Sequence, residues 1–274
     1  YVQGVYPNAI VDKVPQDYTI FEPQGFTAGA YLKLTENSLF PISTYQILEK
    51  DPLSLITNDL SKIGVNEGGA VQVVIRPLSG LNLRKKGEKA LKKIREGKDL
   101  RHAVAEAFQP AVMDLFQETS KAQETKDQKE LENINNRKQQ GIDQKGYDAI
   151  QSKIQKQPFE ANIRVVASAQ TQARAEEILQ HLTSAFSQFS LSAINSFEPK
   201  ELHKGGLKKL VYDFSFRNFK ENQANVLNLE ELASIYHFPT HFVETPYIKA
   251  AKSGVATPPS ELPATGVNLI GEVL

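Results

Sequence analysis

The chain has 274 residues, 32 basic and 32 acidic side chains, and no cysteine. This length suffices for one large domain or two small ones, and 40% hydrophobic with 23% charged residues is typical of a folded protein. The composition excludes disulfide bonds, cysteine catalysis and cysteine-ligated zinc, and a formal net charge of zero gives no global indication of nucleic acid or an anionic membrane as a partner.

Residues 1–78 alternate between strand and helix patterns. Asp51 and Pro52 predict a helix start, because the carboxylate can cap the helix and proline suits its first turn. Apolar residues follow on one face, at spacings of three and four. The order strand, strand, helix, strand closes a ferredoxin-like βαββαβ unit, whose opening strand and helix would precede Tyr1. The predicted strands are Ala9–Val14, Thr27–Thr35 and Ala70–Leu78, and Phe40–Leu48 could extend the sheet after the interruption at Pro41.

Residues 79–158 are predicted to be an inserted helical segment, basic at first and polar afterwards. Residues 83–116 suit a helix, and nine basic residues stand against three acidic ones over Arg84–Arg101. Over Lys121–Gln157 the apolar residues are widely spaced, so packing would stabilise a helix little. We therefore predict a projecting helical hairpin on which folding does not depend. Partial disorder is the alternative.

Residues 159–242 have the pattern of a second α+β unit. Thr171 predicts the start of a helix over Gln172–Phe189, and Asn228 predicts another, with Glu231 completing a capping box. The order β-α-β-β-α resembles that of the first half, once the strand and helix that would precede Tyr1 are added to it. We therefore predict an α+β fold of two ferredoxin-like units, the first truncated, with the polar insertion between them. The predicted strands are Phe159–Ser168, Leu191–Phe197 and Leu207–Phe216.

The final segment, residues 243–274, is rich in proline, which excludes long helices and central strands. Its apolar side chains favour an extended strap lying across the second unit, with an unstructured tether as the alternative. Leu262–Gly266 spells L-P-A-T-G, the letters of a sortase signal. Such a signal needs a hydrophobic span and a basic tail, so a chance match is the preferred interpretation.

Leu227–Pro239, with Val243–Ile248 and Ala256–Pro263 after it, resembles the region in front of the nucleotide-binding core of HerA/FtsK-like ATPases. That family is similar to the DNA-transfer ATPases of conjugation and type IV secretion systems and is common in candidate-phyla bacteria. The order and spacing of the matching segments carry the resemblance over most of the chain. The other matching segments are Tyr6–Ile10, Asp51–Ile56, Val71–Pro77 and Pro158–Val166.

The resemblance implies a membrane anchor, then a region like this chain, then a ring-forming ATPase. It further implies self-association within the ring, contact with secretion-channel proteins, and a place on the cytoplasmic side of the membrane in the parent protein. A chain starting at Tyr1 rather than Met suggests an excerpt, so an anchor upstream stays open. Within the chain, no apolar run reaches the roughly 18 residues that a membrane span needs.

The chain lacks the G-x-x-x-x-G-K-[ST] loop that cradles phosphates in such ATPases. We therefore expect it to be non-catalytic, with no cofactor and no small-molecule substrate.

The basic run is the candidate contact with DNA. Its lysines and arginines could pair with phosphates, but no aromatic side chain is interleaved for base stacking. A solvated helix face is the preferred interpretation. The candidate residues are Arg84, Lys85, Lys86, Lys89, Lys92 and Lys93.

Two residue pairs could in principle carry chemistry. His237 and His241 have the spacing of a zinc-binding pair, but Pro239 breaks the helix that this spacing requires. Glu230 and Glu231 could be acid catalysts, yet carboxylates at a helix start are ordinary because they oppose its positive dipole end. We expect structural roles for both pairs, no catalytic residue and no metal site.

Two functional classes remain open. One is a non-catalytic N-terminal module of a membrane-associated DNA-transfer or secretion ATPase, serving oligomerisation, docking or substrate guidance. The other is a free-standing ferredoxin-like module that binds nucleic acid or protein, with its sheet face as one candidate surface.

Overall fold

A computed structural model describes residues 19–109 and 144–238, all within one of the two compact units into which the chain divides. Five strands are present in these ranges: β1 (Phe26–Leu34), β2 (Gly68–Pro77), β3 (Pro158–Ala169), β4 (Phe197–Glu201) and β5 (Asn225–Asn228). They form one antiparallel sheet in the order β2-β3-β1-β4, and β5 also pairs with β3.

Seven α-helices surround this sheet in the described ranges. A 3-10 turn at Ala185–Phe189 follows the fifth helix, and another at Glu221–Gln223 precedes β5. The helices are α1 (Leu53–Ser61), α2 (Gly80–Arg95), α3 (Leu100–Phe108), α4 (residues 144–155), α5 (Gln172–Ser184), α6 (Lys204–Ser215) and α7 (Leu229–Ile235).

The long strand β3 organises the sheet, since it pairs along its length with β2 and on its other side with both β1 and β5. Asn225 joins the ends of these two shorter strands. Its side chain accepts a hydrogen bond from the Leu34 amide at 2.9 Å and donates one to the Leu32 carbonyl at 2.8 Å. One amide side chain therefore satisfies backbone groups that would otherwise lose their partners where β1 leaves β3.

The main core lies on one face of the sheet. Alternate residues of β3 point to opposite faces, and those from Ala161 to Ala169 with odd numbers are buried under α1, α5 and α7. A second apolar cluster joins α2, α3 and α4 to Leu39 and Phe40. Gly97, with a φ of 90°, allows the sharp change of direction between α2 and α3.

The α+β class is confirmed, but two separate ferredoxin-like units are not. Strands from both halves of the chain belong to one sheet, because β3 pairs directly with β1 and β2. The order β-α-β-β-α-β occurs once, as β1-α1-β2-β3-α5-β4, and α2 to α4 interrupt it.

Several predicted elements are confirmed. Strands occur close to the predicted positions at β1, β2 and β3. Asp51 accepts a hydrogen bond from the Leu53 amide at the start of α1. Thr171 caps α5, and Asn228 and Glu231 form the predicted capping box of α7.

Other predicted elements are wrong. Residues 40–48 form turns and loop rather than a strand, and the strand expected at Leu191–Phe197 begins only at Phe197. The strand expected at Leu207–Phe216 lies almost wholly in helix α6. Predictions for 1–18, 110–143 and 239–274, including Ala9–Val14, the proline-rich strap and the L-P-A-T-G letters, lie outside the described residues.

Candidate nucleic-acid interface

Helix α6 lies over the second face of the sheet, opposite the main core. Gly29 of β1 permits this approach, because a Cβ added there would lie 2.7 Å from Cδ2 of Leu210 and 3.1 Å from Cδ1 of Leu207. Leu210 is buried against the sheet. The sheet face beneath α6 carries both polar and apolar side chains, and the polar ones form hydrogen bonds with the helix.

Arg164 on β3 is fully buried beneath the carboxyl end of α6. Its Nη1 donates to Gln72 Oε1 at 3.0 Å and to the Asp213 carbonyl at 3.2 Å. Its Nη2 donates to Asn162 Oδ1 at 3.2 Å and to the Asn218 carbonyl. Burial lowers the pKa of Arg164 while the Asp213 charge opposes that shift, and a guanidinium stays protonated in proteins. A cation is therefore held where the helix dipole is negative.

The loop after α6 is fixed by the same polar face. Asn162 accepts a hydrogen bond from the Lys220 amide at 2.6 Å and donates one to the Lys220 carbonyl at 2.9 Å. Gln72 donates to the Phe214 carbonyl at 2.9 Å. The Lys220 ammonium then reaches back to Asp213 Oδ1 at 3.1 Å. These contacts set the position of α6 and of the loop that follows it.

The outward side of α6 carries two exposed aromatic side chains in contact with each other. Tyr212 is 58% exposed and Phe216 is 65% exposed. Their ring centroids are 4.7 Å apart with an interplanar angle of 43°. Residues four apart lie on one side of a helix, so Lys204 and Lys208 continue the same row toward the amino end.

The surroundings of this aromatic pair are basic. Over residues 202–220 the chain has five lysines or arginines and one acidic residue, the buried Asp213. Four of these cations form no ion pair with any residue in ranges 19–109 and 144–238. They are Lys204, Lys208, Lys209 and Arg217.

The basic run on α2, by contrast, is partly neutralised within the protein. Arg84 contacts Glu88 at 2.9 Å, and the Lys86 ammonium lies 4.2 Å from the ring centroid of Phe108. The Lys92 ammonium is 4.0 Å from the Glu96 carboxylate. Lys85 and Lys89 lie on the same helix, where Lys85 is exposed and Lys89 is half-buried.

Glu106 on α3 binds two lysines at this end of α2. Lys93 and Lys98 both donate to its carboxylate, the second at 2.6 Å. Burial alone would raise the pKa of Glu106, but these hydrogen bonds outweigh it and lower that pKa to about 2. The charge of Lys93 is therefore engaged internally.

The pairs Glu230–Glu231 and His237–His241 were the candidates for catalysis and metal binding. Three of these four side chains make structural contacts. Glu231 is fully buried in the capping box of α7, and Glu230 binds Lys156 and the Thr44 hydroxyl. His237 lies with Nδ1 3.0 Å from the Ala233 carbonyl and Nε2 3.1 Å from Asp51. His241 falls outside the described residues. Within residues 19–109 and 144–238, no group of three potential ligands could hold a metal ion.

The sequence contained a signal for α6 that the strand interpretation missed. Leu210, Tyr212, Phe214 and Phe216 alternate like a strand, and Leu207, Leu210, Val211 and Phe214 also recur at helical spacing. Lys204, Lys208, Tyr212 and Phe216 are spaced by four residues throughout. A helix places these four along one side and allows Leu210 to be buried on the other.

The chain matches the family described as a domain of unknown function, DUF8128, over residues 2–251. It belongs to that family. Searches among curated proteins and among solved structures found no match to the chain. Across the described part of this DUF8128 chain, no helix is both long and apolar enough to cross a membrane.

Proposed function

We propose that this chain is a non-catalytic module that binds single-stranded nucleic acid along α6. The exposed Tyr212–Phe216 pair, set among basic side chains without ion-pair partners in the described ranges, carries the proposal. Single strands expose the faces of their bases, and aromatic side chains stack on those faces while basic groups follow the phosphates. A duplex hides its base faces and would use only the charges.

The α6 surface is different from the sheet face that the sequence suggested as a binding surface. One face of the sheet lies under α1, α5 and α7, and Arg164 on the other face is buried beneath α6 and the loop after it. Within the described part of the chain, the α6 surface has both exposed aromatic rings and cations without ion-pair partners, whereas the α2 run has no such ring pair. Arg84, Lys85, Lys86, Lys89, Lys92 and Lys93 are therefore the weaker candidate contact.

We also infer that β1-α1-β2-β3-α5-β4 is a single ferredoxin-like unit. The sheet order β2-β3-β1-β4, with antiparallel neighbours throughout, supports this inference. In this proposal α6, β5 and α7 are additions that cover the sheet and complete its edge.

Removing the aromatic rings tests the stacking role. We expect Tyr212→Ala with Phe216→Ala to weaken the Kd for oligo(dT) by roughly 5- to 150-fold for each stacked base lost. Fluorescence anisotropy measures this directly. The matched control is Tyr236→Ala, because Tyr236 is 56% exposed and also contacts a second ring, that of Phe238. Equal affinities for wild type and the double variant would contradict the proposal.

The salt dependence of binding distinguishes the two basic surfaces. For single-stranded nucleic acid, the logarithm of the binding constant falls linearly with the logarithm of the salt concentration. Each phosphate contact adds about 0.7 to the magnitude of that slope. Replacing Lys208 and Lys209 by Gln should therefore reduce the slope by about 1.4. The matched control replaces Lys85 and Lys92 on α2 by Gln and should leave the slope unchanged. The reverse result would assign the contact to α2.

From the sequence resemblance we further propose that the parent protein is a membrane-associated DNA-transfer or secretion ATPase. In it this module would guide the strand toward the motor, self-associate within the ring, and lie on the cytoplasmic side near secretion-channel proteins. The gene sequence beyond Leu274 tests this proposal. An in-frame Walker A loop supports it, and a stop codon contradicts it.

A further inference from the structure

A small pocket lies beside the aromatic surface, between β1 and α6. Its volume is about 210 Å³, below the roughly 300–1,000 Å³ of sites for drug-sized ligands, so it suits a single ring system. The side chains with polar or ionisable groups that line it are Tyr31, Lys209, Asp213, Lys220, Asn222 and Gln223.

The wall of this pocket combines apolar surface with hydrogen-bond acceptors. Leu202 and Leu210 line it together with the ring of Tyr31, which shares a sheet face with Arg164. Asp213 lines the pocket as well, and its Oδ1 accepts a hydrogen bond from Asn218 and lies 3.1 Å from the Lys220 ammonium. The Gln223 Oε1 is buried without a hydrogen-bond partner among residues 19–109 and 144–238.

The charges around the pocket match a nucleotide rather than an apolar ligand. Lys209 belongs both to the pocket and to the basic side of α6, and Lys220 lines the pocket as well. A strand that follows the exposed row of α6 would pass the pocket mouth at Lys209. One base could then turn inward while its phosphates stay near the lysines.

We propose that the pocket binds one unstacked base of the strand held on α6, and that it prefers a base with an exocyclic amino group. This inference rests on the proposed function of the same surface. Carboxylate and amide oxygens accept hydrogen bonds from the cytosine amino group, and proteins commonly read unstacked bases on their exposed edges. Thymine has a carbonyl oxygen at the position of the cytosine amino group, and this oxygen would face the Asp213 carboxylate without a proton between them.

Two neighbouring glycines provide a matched pair of variants. A Cβ at Gly206, on the pocket wall, would meet only Leu202 at ordinary contact distances of 3.6 and 3.7 Å, whereas a Cβ at Gly205 would meet nothing within 4 Å. Both residues lie in the first turn of α6, so Leu at either position changes helix propensity alike. Gly206→Leu occupies pocket space, and Gly205→Leu extends into open space.

The experiment compares oligo(dC) with oligo(dT) of equal length by fluorescence anisotropy. Wild type and Gly205→Leu should bind oligo(dC) about tenfold more tightly, the lower part of the range for a good base contact. Gly206→Leu should lose this preference while keeping its affinity for oligo(dT). Gln223→Leu is a second test, because it removes the Oε1 acceptor while keeping a side chain of similar size. Thermal unfolding confirms that each variant is folded.

The outcomes separate this inference from the proposed function. Equal binding of both oligonucleotides by wild type overturns the inference that the pocket binds a base, and it leaves the proposal of binding along α6 intact. A preference that survives in Gly206→Leu and Gln223→Leu overturns it as well. No binding of either oligonucleotide by wild type overturns the proposed function, and the pocket inference falls with it.

Discussion

A buried ion pair connects the second apolar cluster to the main core. The side chains of Lys153 on α4 and Glu231 on α7 are both fully buried, with Nζ 3.0 Å from Oε2. The Glu231 carboxylate also accepts from the amides of Ile42, at 2.9 Å, and Asn228, at 2.8 Å. Burial lowers the pKa of Lys153, and the charge and hydrogen bond of Glu231 oppose that shift. Three separate segments therefore depend on one carboxylate.

Removing one member of this pair should be costly. We expect Lys153→Met to lower the free energy of unfolding by about 3–5 kcal/mol, because it leaves the Glu231 carboxylate buried without a counter-charge. Adding Glu231→Gln removes that charge and should recover part of the loss. Urea denaturation of both single variants and the double variant gives the coupling energy.

The matched control for this cycle is Lys156→Met. Lys156 pairs with Glu230, but its side chain is 34% exposed, so the loss should stay within about 1 kcal/mol. A Lys153→Met variant no less stable than this control would show that Glu231 finds other compensation.

At the scale of elements, α4 shows where the sequence prediction was wrong. The sparse apolar residues of the polar insertion predicted a segment that contributes little to a core. Yet Ile150 is fully buried, with Tyr147 and Ile154 packed against the same cluster. Their spacing of three and four is helical, and neighbours on α2 and α3 complete the burial. A short apolar stripe is sufficient when other helices cover it.

Truncating this stripe tests its contribution. We expect Ile150→Ala to lower the free energy of unfolding by about 2–5 kcal/mol, the range for large-to-small changes in a packed core. The same change at Ile47, which is 63% exposed, should stay within about 0.5 kcal/mol. Urea denaturation measures both. Equal effects at the two positions would mean that α4 is as dispensable as its composition suggested.

Local signals were predictable from the sequence, and contacts between distant residues were not. The capping box of Asn228 and Glu231 needs only residues three apart, so it was predicted correctly. Helix α6 was missed because its apolar residues satisfy both periods, and a sheet face with a glycine at Gly29 decides between them. The aromatic surface depends on that choice, since a strand would put Leu210 on the same face as Tyr212 and Phe216, whereas the helix buries Leu210 and leaves both rings exposed.

At the scale of the whole molecule, one sheet unites the two halves of the chain. The sequence suggested a duplication because both halves have a similar order of strands and helices. Element order does not determine strand pairing, because the register depends on contacts far apart in sequence. Here Phe26 pairs with Ala169 and Gly68 with Ser168, so the central strand of the second half lies between strands of the first.

This sheet predicts that the halves cannot fold separately. We divide the chain between Ser120 and Lys121, outside the described residues. The carboxy-terminal piece keeps β3 and β5, but β3 loses β2 on one side, β1 on the other, and the cover of α1. We expect neither piece to show a cooperative urea transition by circular dichroism, whereas an equimolar mixture should regain one. The intact chain, under the same conditions, is the reference. A cooperative transition in the carboxy-terminal piece alone would restore the two-unit interpretation, since two independent units need no contact between β3 and the strands of the first half.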